Sequence, residues 1–172
     1  LRPGTDLILE VGFKVTDDDL TVLEGMNRLV SVDLNWAVSL MEPFVAAEMH
    51  IKSGLLHALK YSTTHRISTL DTMIAGQIKH WTQFFGNGEL VPLCGSSVHF
   101  DRAFMKVQMP KTEAAFHYRN IDVSGMREMV KLWKPSAIDS MPKGQGIHRV
   151  DPDLDDTIEL ARWCRNLLRG EA

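Results

Sequence analysis

The hydrophobic pattern of the chain changes several times between strand-like and helix-like segments, which restricts it to folds that mix both elements. Residues 7–16 and 20–32 are rich in β-branched and apolar residues and flank three consecutive aspartates, so they predict a β-hairpin. Across residues 64–85, apolar side chains recur at helical spacing, which predicts a long amphipathic helix. All-α and all-β folds are therefore excluded.

The second half of the chain repeats the change from strand to helix. Short apolar runs at 90–94 and 121–123 predict two further strands, each followed by a helical pattern. The last helix is predicted to have Asp151 as its N-cap and Pro152 in its first position, and to end before Gly170. The remaining helices are predicted at residues 39–50, 54–61, 100–109 and 124–134, with Ser124 capping the last of these.

Together these elements predict one α/β domain over residues 1–172, with a mixed sheet flanked by helices. The chain is long enough to bury a substantial core without disulfides, and its two cysteines form neither a disulfide framework nor a C-x-x-C zinc site. So few cysteines favour a reducing, cytoplasmic setting. No apolar run approaches the length of a membrane span, so we expect no membrane partner.

The charge of the chain limits what it binds. Nineteen Lys and Arg residues stand against 22 Asp and Glu, which gives a formal net charge of -3. A chain without an overall positive field does not hold a long nucleic-acid duplex. Any polyanionic substrate must therefore be short or gripped locally.

Two aspartates and one histidine are the candidate chemical groups. Asp101 and Asp153 each occur where an apolar or small-residue stretch passes into a helix, and their carboxylates are suitable ligands for a hard divalent cation. His148 precedes Asp153 closely enough to act as a general base beside such a cation. The alternatives are structural, because an Asp in a first helical turn is favoured by the helix dipole and a loop histidine is commonly solvated.

Four colinear segments carry a more specific signal. They are C-G-S-S followed by D-R-A-F within residues 94–104, H-Y-R-N-I-D-V-S at 117–124, H-R-V-D-P-D at 148–153 and E-M-H-I-K-S-G-L at 48–55. These segments resemble the motifs of the oligoribonucleases, a family of DEDDh-class exonucleases. One departure is Val150, where the family motif has alanine.

The resemblance implies an RNase H-like α/β fold and a homodimeric 3′-to-5′ exoribonuclease that hydrolyses dinucleotides and other very short RNAs to nucleoside 5′-monophosphates. Two Mg²⁺ or Mn²⁺ ions would assist the reaction. The residues that match the family's site are Asp101 and Asp153 as metal ligands, His148 and Tyr118 as catalytic residues, and Leu1, His50, Ser97, Arg119 and Ser124 as substrate-binding residues. Of these, the resemblance implies that Tyr118, Arg119 and Ser124 come from the partner subunit and surround the 5′ phosphate with Ser97.

The resemblance also implies an earlier strand that carries a D-x-E motif, placed in the middle of the sheet and ending near Leu1. We therefore expect the first strand to be missing from the sequence as given, and this form to be inactive without the two D-x-E carboxylates. Two alternatives remain: a DEDDh exonuclease acting on DNA, and a catalytically inactive homodimer that binds nucleotides or a protein. The glycines at 144 and 146 further predict a mobile loop before His148.

Overall fold

A computed structural model describes residues 2–85 and 88–170 of the chain, and within them strands and helices alternate as the hydrophobic pattern predicts. The strands are β1 (Glu10–Thr16), β2 (Val22–Val30), β3 (Thr64–His65), β4 (Pro92–Gly95) and β5 (His117–Asp122). The α-helices are α1 (Leu34–Ser39), α2 (Leu55–Tyr61), α3 (Ile67–Phe85), α4 (His99–Gln108), α5 (Pro110–Glu113), α6 (Val123–Trp133) and α7 (Val150–Arg169). A π-helical segment covers Val45–Ile51 and a 3-10 helix covers Pro135–Ser140.

The strands form two sheets. β1 and β2 make the predicted antiparallel hairpin, and β3 adds to β2 in parallel. β4 and β5 form a separate parallel pair. Among the described residues, no strand pairing joins the two sheets.

The main core lies where α3 packs across β2 and α4. The buried face of α3 carries Leu70, Ile74 and Ile78, which contact Met26 of β2 and Met105 of α4 in one cluster. These helix residues recur at the spacing seen in the sequence, so the amphipathic pattern predicted the buried face correctly. The mixed α/β class with flanking helices is confirmed.

The start of α7 differs from the prediction. The helix begins at Val150, with Arg149 rather than Asp151 in the N-cap position, and Arg149 makes no side-chain capping bond. The reason is tertiary: the carboxylate of Glu10 on β1 accepts the backbone N–H of Val150 at 3.3 Å and so takes the place of a local cap. The predicted end is confirmed, because Gly170 closes the helix with a left-handed φ of 74°.

The cap of α6 also differs. Asp122 is the N-cap, and its Oδ1 accepts the backbone N–H groups of Ser124 and Gly125 at 3.0 and 3.4 Å. Ser124, the predicted cap, lies inside the helix, where its hydroxyl is available for other contacts. A carboxylate at this position satisfies two otherwise unpaired N–H groups at once, which a hydroxyl does less well.

Residues 39–50, predicted as one α-helix, divide between the end of α1 and the π-helical segment. Single π-helical turns often occur at functional sites, and this one carries His50. Within residues 2–85 and 88–170, no helix is both long and apolar enough to cross a membrane.

Candidate active site

A network of short polar side chains forms where β4 and β5 end. Oδ1 of Asp122 accepts the backbone N–H of Ser97 at 3.0 Å, in addition to the N–H groups that it caps. The hydroxyl oxygens of Ser97 and Ser124 lie 3.3 Å apart. Hydrogen bonds from the N–H groups of Ser97, Gly125 and Ser124 outweigh the effect of burial, which raises the pKa of Asp122, so the net pKa is lowered.

The structure therefore brings Ser97 and Ser124 together within one chain. The resemblance implied instead that Ser124 reaches Ser97 from a partner subunit. The physical reason for the difference is the shared Asp122 carboxylate, which binds the backbones of both serines. A pair of hydroxyls at the end of a sheet is suited to bind an anionic oxygen.

Asp101 lies in the first turn of α4, directly after this network. The residue is exposed, yet surrounding protein desolvates its carboxylate enough to raise the pKa, and the nearby negative charge of Asp122 acts in the same direction. His99 partly opposes this shift. Among the described residues, no Lys or Arg forms a salt bridge with Asp101.

Tyr118 and Arg119 project from β5 into solvent. Tyr118 is 73% exposed, and the Arg119 guanidinium lies 5.3 Å from the centre of its ring. Arg119 also lines an open cavity of about 650 Å³ together with Leu90 and Ile121. The strand itself is held by the buried Arg102, whose Nη1 donates to the Tyr118 carbonyl at 2.7 Å. Within the described residues, neither Tyr118 nor Arg119 forms a hydrogen bond with the serine network of its own chain.

His148 and Asp153 form the second part of the site, at the start of α7. The His148 backbone and ring both act to lower the pKa of Asp153, but burial of the carboxylate and repulsion from Asp156 and Glu10 outweigh them, so the net pKa is raised. The two candidate groups are thus electrostatic neighbours, as their spacing predicted. His148 has a left-handed φ of 57°, and Ser97 has 54°. Such backbone angles are costly for residues other than glycine and cluster at functional sites.

His50 joins this part of the site from the π-helical segment. Burial lowers its pKa, and the charge of His148 lowers it further. Its Nδ1 is buried and has no hydrogen-bond partner within the described part of the chain. A neutral ring with one unpaired nitrogen is suited to contact a substrate group that carries a hydrogen.

The sequence did not identify Glu10 and Arg149 as parts of the site. The Glu10 side chain is only 4% exposed and accepts Nε and Nη2 of Arg149 at 2.9 and 2.7 Å. Burial raises the pKa of Glu10, but the bonds from Arg149, Asn27 and Val150 lower it by more. Arg149 stands inside the segment 148–153 that resembles the family, but nothing in the sequence shows that it meets Glu10.

One contact joins the two parts of the site. The Ser96 hydroxyl lies 3.1 Å from the hydroxyl of Thr157, which follows Asp153 by one turn of α7. The loop that leads to Asp101 therefore touches the helix that carries Asp153. Leu1, the remaining predicted site residue, lies outside the described residues.

The donor chemistry of Asp101 and Asp153 fits a hard divalent cation. Both carboxylates are partly desolvated, and within the described residues neither forms a salt bridge with a lysine or arginine, a situation that a cation would relieve. Asp101 and Asp153 alone do not make a complete metal site. No group of three or more metal-ligating His, Cys, Asp or Glu side chains occurs within residues 2–85 and 88–170. Mg²⁺ in particular needs several fixed oxygens.

Comparisons with known proteins give a consistent result. The chain is 34% identical over 165 residues to a Neisseria meningitidis protein named oligoribonuclease. The alignment covers 96% of this chain and 84% of that protein. A Chromobacterium violaceum oligoribonuclease is 34% identical over 96% of this chain and 87% of its own length. A Nitrosomonas europaea oligoribonuclease is 35% identical, with coverage of 98% and 89%. No protein-family model matches the chain.

Proposed function

The chain belongs to the oligoribonuclease family, and we propose on that basis that it is a 3′-to-5′ exoribonuclease that hydrolyses dinucleotides and other very short RNAs to nucleoside 5′-monophosphates. The observation that supports this best is geometric: Asp122 binds the backbones of Ser97 and Ser124, and the Ser96–Thr157 contact joins this network to the helix that carries Asp153. Ser97, Ser124 and Asp153 are residues that the family motifs singled out, and they come from three separate segments of the chain.

We propose that Asp101 and Asp153 are two of the ligands for Mg²⁺ or Mn²⁺. Such ions supply positive charge to the scissile phosphate and make water more acidic. The proposal is supported by the raised pKa of both carboxylates and by their lack of salt-bridge partners within the described residues.

His148 is the proposed general base, which takes the proton of the attacking water at a ring nitrogen. A histidine ring nitrogen is a common general base for this kind of proton transfer. His50 is proposed to bind the substrate beside it, with its ring kept neutral by burial and by the neighbouring His148. A neutral His50 avoids repulsion with the imidazolium that forms on His148.

The serine network is the proposed cap for the 5′ phosphate. The hydroxyls of Ser97 and Ser124 would donate to it, and Arg119 with Tyr118 would close it from a second copy of the chain. Hydrogen bonds from a guanidinium to phosphate are charge-assisted and strong. A closed cap at this end leaves no path for a longer strand, which suits a chain with a net charge of -3.

A homodimer is proposed because α6 and β5 expose apolar side chains that one chain leaves uncovered. Met129, Leu132 and Trp133 lie on one face of α6, and the last two are each 77% exposed. Tyr118 and Ile121 are exposed on β5, which directly precedes α6. A cytoplasmic location is proposed with this function, since Cys94 and Cys164 are both free thiols.

The proposed function is tested with the full-length protein, Mn²⁺ and 5′-phosphorylated RNA substrates. We expect a dinucleotide to be hydrolysed much faster than a longer RNA or a DNA dinucleotide, and Asp153→Ala to abolish turnover. The matched control is Glu159→Gln, on an exposed part of the same helix, where Glu159 pairs with Arg162; it should leave turnover unchanged.

The alternatives give different results. Preferential hydrolysis of DNA would favour a DNA exonuclease. Dinucleotide binding without hydrolysis at any Mn²⁺ concentration would favour an inactive binding protein. Normal turnover by Asp153→Ala would show that the assigned site is wrong.

A further inference from the structure

One face of β1 contacts the start of α7 at three successive points. Side chains alternate along a strand, so residues 10, 12 and 14 point to the same side of β1. Glu10 binds Arg149 and the Val150 N–H, as described above. Lys14 Nζ lies 3.1 Å from Asp151 and 2.5 Å from Asp155. We call the contacts of Glu10, Gly12 and Lys14 with the first turns of α7 the β1–α7 clasp; the contact of Gly12 is described next.

Gly12 permits the closest approach within the clasp. A Cβ atom at this position would lie 2.7 Å from Cγ1 of Val150 and 2.6 Å from the Met26 carbonyl oxygen. The valine that departs from the family motif therefore fills the space that the glycine leaves. Any side chain at residue 12 would push the first turn of α7 away from the sheet.

The clasp fixes the loop that carries His148. Arg149, the next residue, is bound by Glu10, and on the other side the Asp156 carboxylate accepts the backbone N–H of Gln145 at 2.7 Å. His148 thus lies between two anchors and has the left-handed backbone noted above. The loop is tied more firmly than its two glycines alone predict. A strained conformation of this kind persists only where its surroundings enforce it.

The other aspartates at the start of α7 have side-chain partners of their own. Lys14 binds Asp151 and Asp155, which lie on one face of α7. Gln145 binds Asp156. Among the described residues, Asp153 is the one aspartate in the first turns of α7 that has no Lys, Arg or Gln side chain as a partner. Its negative charge therefore remains available to a cation in the site.

We propose that Glu10 is a positioning residue, which holds Arg149 and the first turn of α7 so that His148 and Asp153 face the same reacting group. Glu10 does not touch the substrate in this arrangement and acts through the backbone on either side of Arg149. The proposal rests on the proposed function for the role of His148 and Asp153. Its structural part, the fixing of the loop, can be measured without substrate.

The test substitution is Glu10→Gln, which keeps the size of the side chain but removes the charge that binds Arg149. We expect kcat for dinucleotide hydrolysis to fall by roughly 10- to 100-fold, because a small misplacement of catalytic groups has effects of this size. KM should change little, since the substrate contacts are retained. The loss of kcat in His148→Asn sets the scale. Glu10→Gln should also lower kcat, but by a smaller factor.

The matched control is Glu24→Gln on β2. Glu24 is also a carboxylate of this sheet with a hydrogen-bonded partner, since its Oε2 accepts Nε1 of Trp81 at 2.5 Å. It faces α3 rather than α7, so its loss should leave kcat unchanged. Arg149→Lys, which keeps the charge but not the two-point contact, provides a second variant with an intermediate kcat.

A second readout is hydrogen exchange of the backbone amides, measured without metal or substrate. We expect Glu10→Gln to accelerate exchange at residues 147–153 and Glu24→Gln to leave those amides unchanged. A wild-type kcat and unchanged exchange in Glu10→Gln and Arg149→Lys would overturn the proposal. If the wild-type protein hydrolyses no RNA, the proposed function fails, while faster exchange at 147–153 still supports the fixing of the loop by Glu10.

Discussion

Arg119 is proposed to bind a phosphate in the site of a second chain, and in its own chain it lies in a different environment. Its guanidinium rests near the exposed Tyr118 ring and lines an open cavity, away from the serine network of its own chain. An exposed arginine of this kind contributes little to stability. Its value is therefore expected to lie in binding, and a phosphate is a group that a guanidinium binds strongly through charge-assisted hydrogen bonds.

Replacing Arg119 with alanine is expected to weaken the binding of a 5′-phosphorylated dinucleotide. Loss of a charged hydrogen bond costs about 1.5–3 kcal/mol, which corresponds to roughly 10- to 150-fold in Kd. Binding of the same dinucleotide without its 5′ phosphate should change much less. Isothermal titration calorimetry measures both.

The control for this substitution is Arg127→Ala, which removes a half-buried arginine paired with Glu128 on α6. It should affect neither ligand. Equal losses with the two dinucleotides in Arg119→Ala would show that Arg119 does not bind the 5′ phosphate.

At the scale of elements, Asp122 joins β4, β5 and α6. One carboxylate oxygen accepts N–H groups from the loop after β4 and from the first turn of α6. The register of the two strands and the start of the helix therefore depend on one side chain. Because Ser97 and Ser124 are both attached to it, the geometry of the proposed phosphate cap depends on it as well.

Asp122→Asn is expected to lower the free energy of unfolding by about 1 kcal/mol near neutral pH, since it replaces charge-assisted hydrogen bonds from backbone N–H groups with weaker neutral ones. The folded pKa of Asp122 is lowered, so its stabilising effect is present above the ordinary value of 3.8 and is lost as pH falls through the folded pKa. Urea unfolding of both proteins at neutral and acidic pH measures this difference, which should disappear in acid.

Asp33→Asn serves as the control, because Asp33 caps α1 through a single N–H, that of Trp36 at 3.0 Å. The loss there should be smaller, without an effect on dinucleotide binding. If Asp122→Asn is as stable as the wild-type protein at neutral pH, the joining role of Asp122 is incorrect.

At the scale of the whole molecule, the proposed site is divided between two copies. The serine network, His148 and Asp153 belong to one chain, whereas Arg119 and Tyr118 are directed outward and would complete the site of another. The apolar face of α6 offers an area for that contact. Assembly and activity are then expected to be lost together.

Leu132→Glu and Trp133→Glu are expected to convert a dimer to a monomer, because burying an unpaired charge in an apolar contact is costly. Dinucleotide hydrolysis should fall with dimer content. Leu168→Glu is the control, since Leu168 is 79% exposed but lies near the end of α7. Analytical ultracentrifugation separates the species, and a variant that is monomeric with full activity would contradict the shared site.

The sequence predicted the hairpin, α3 and the end of α7, since each has a local signal: alternation of apolar residues, helical spacing or a left-handed glycine. It failed at the caps of α6 and α7. Local rules favoured Ser124 and Asp151, but Asp122 binds two segments at once and Glu10 reaches α7 from β1. The π-helical turn around His50 also has no local signal in the apolar pattern.

The sequence alone determined the family of this protein and the identity of its chemical groups, because motif spacing and residue type are properties of the chain. Only the tertiary structure decided which groups meet. Glu10 binds Arg149 across 139 positions, and Ser96 contacts Thr157 across 61. Such contacts arise when strands and helices pack, and packing brings together residues between which the sequence shows no periodic relation.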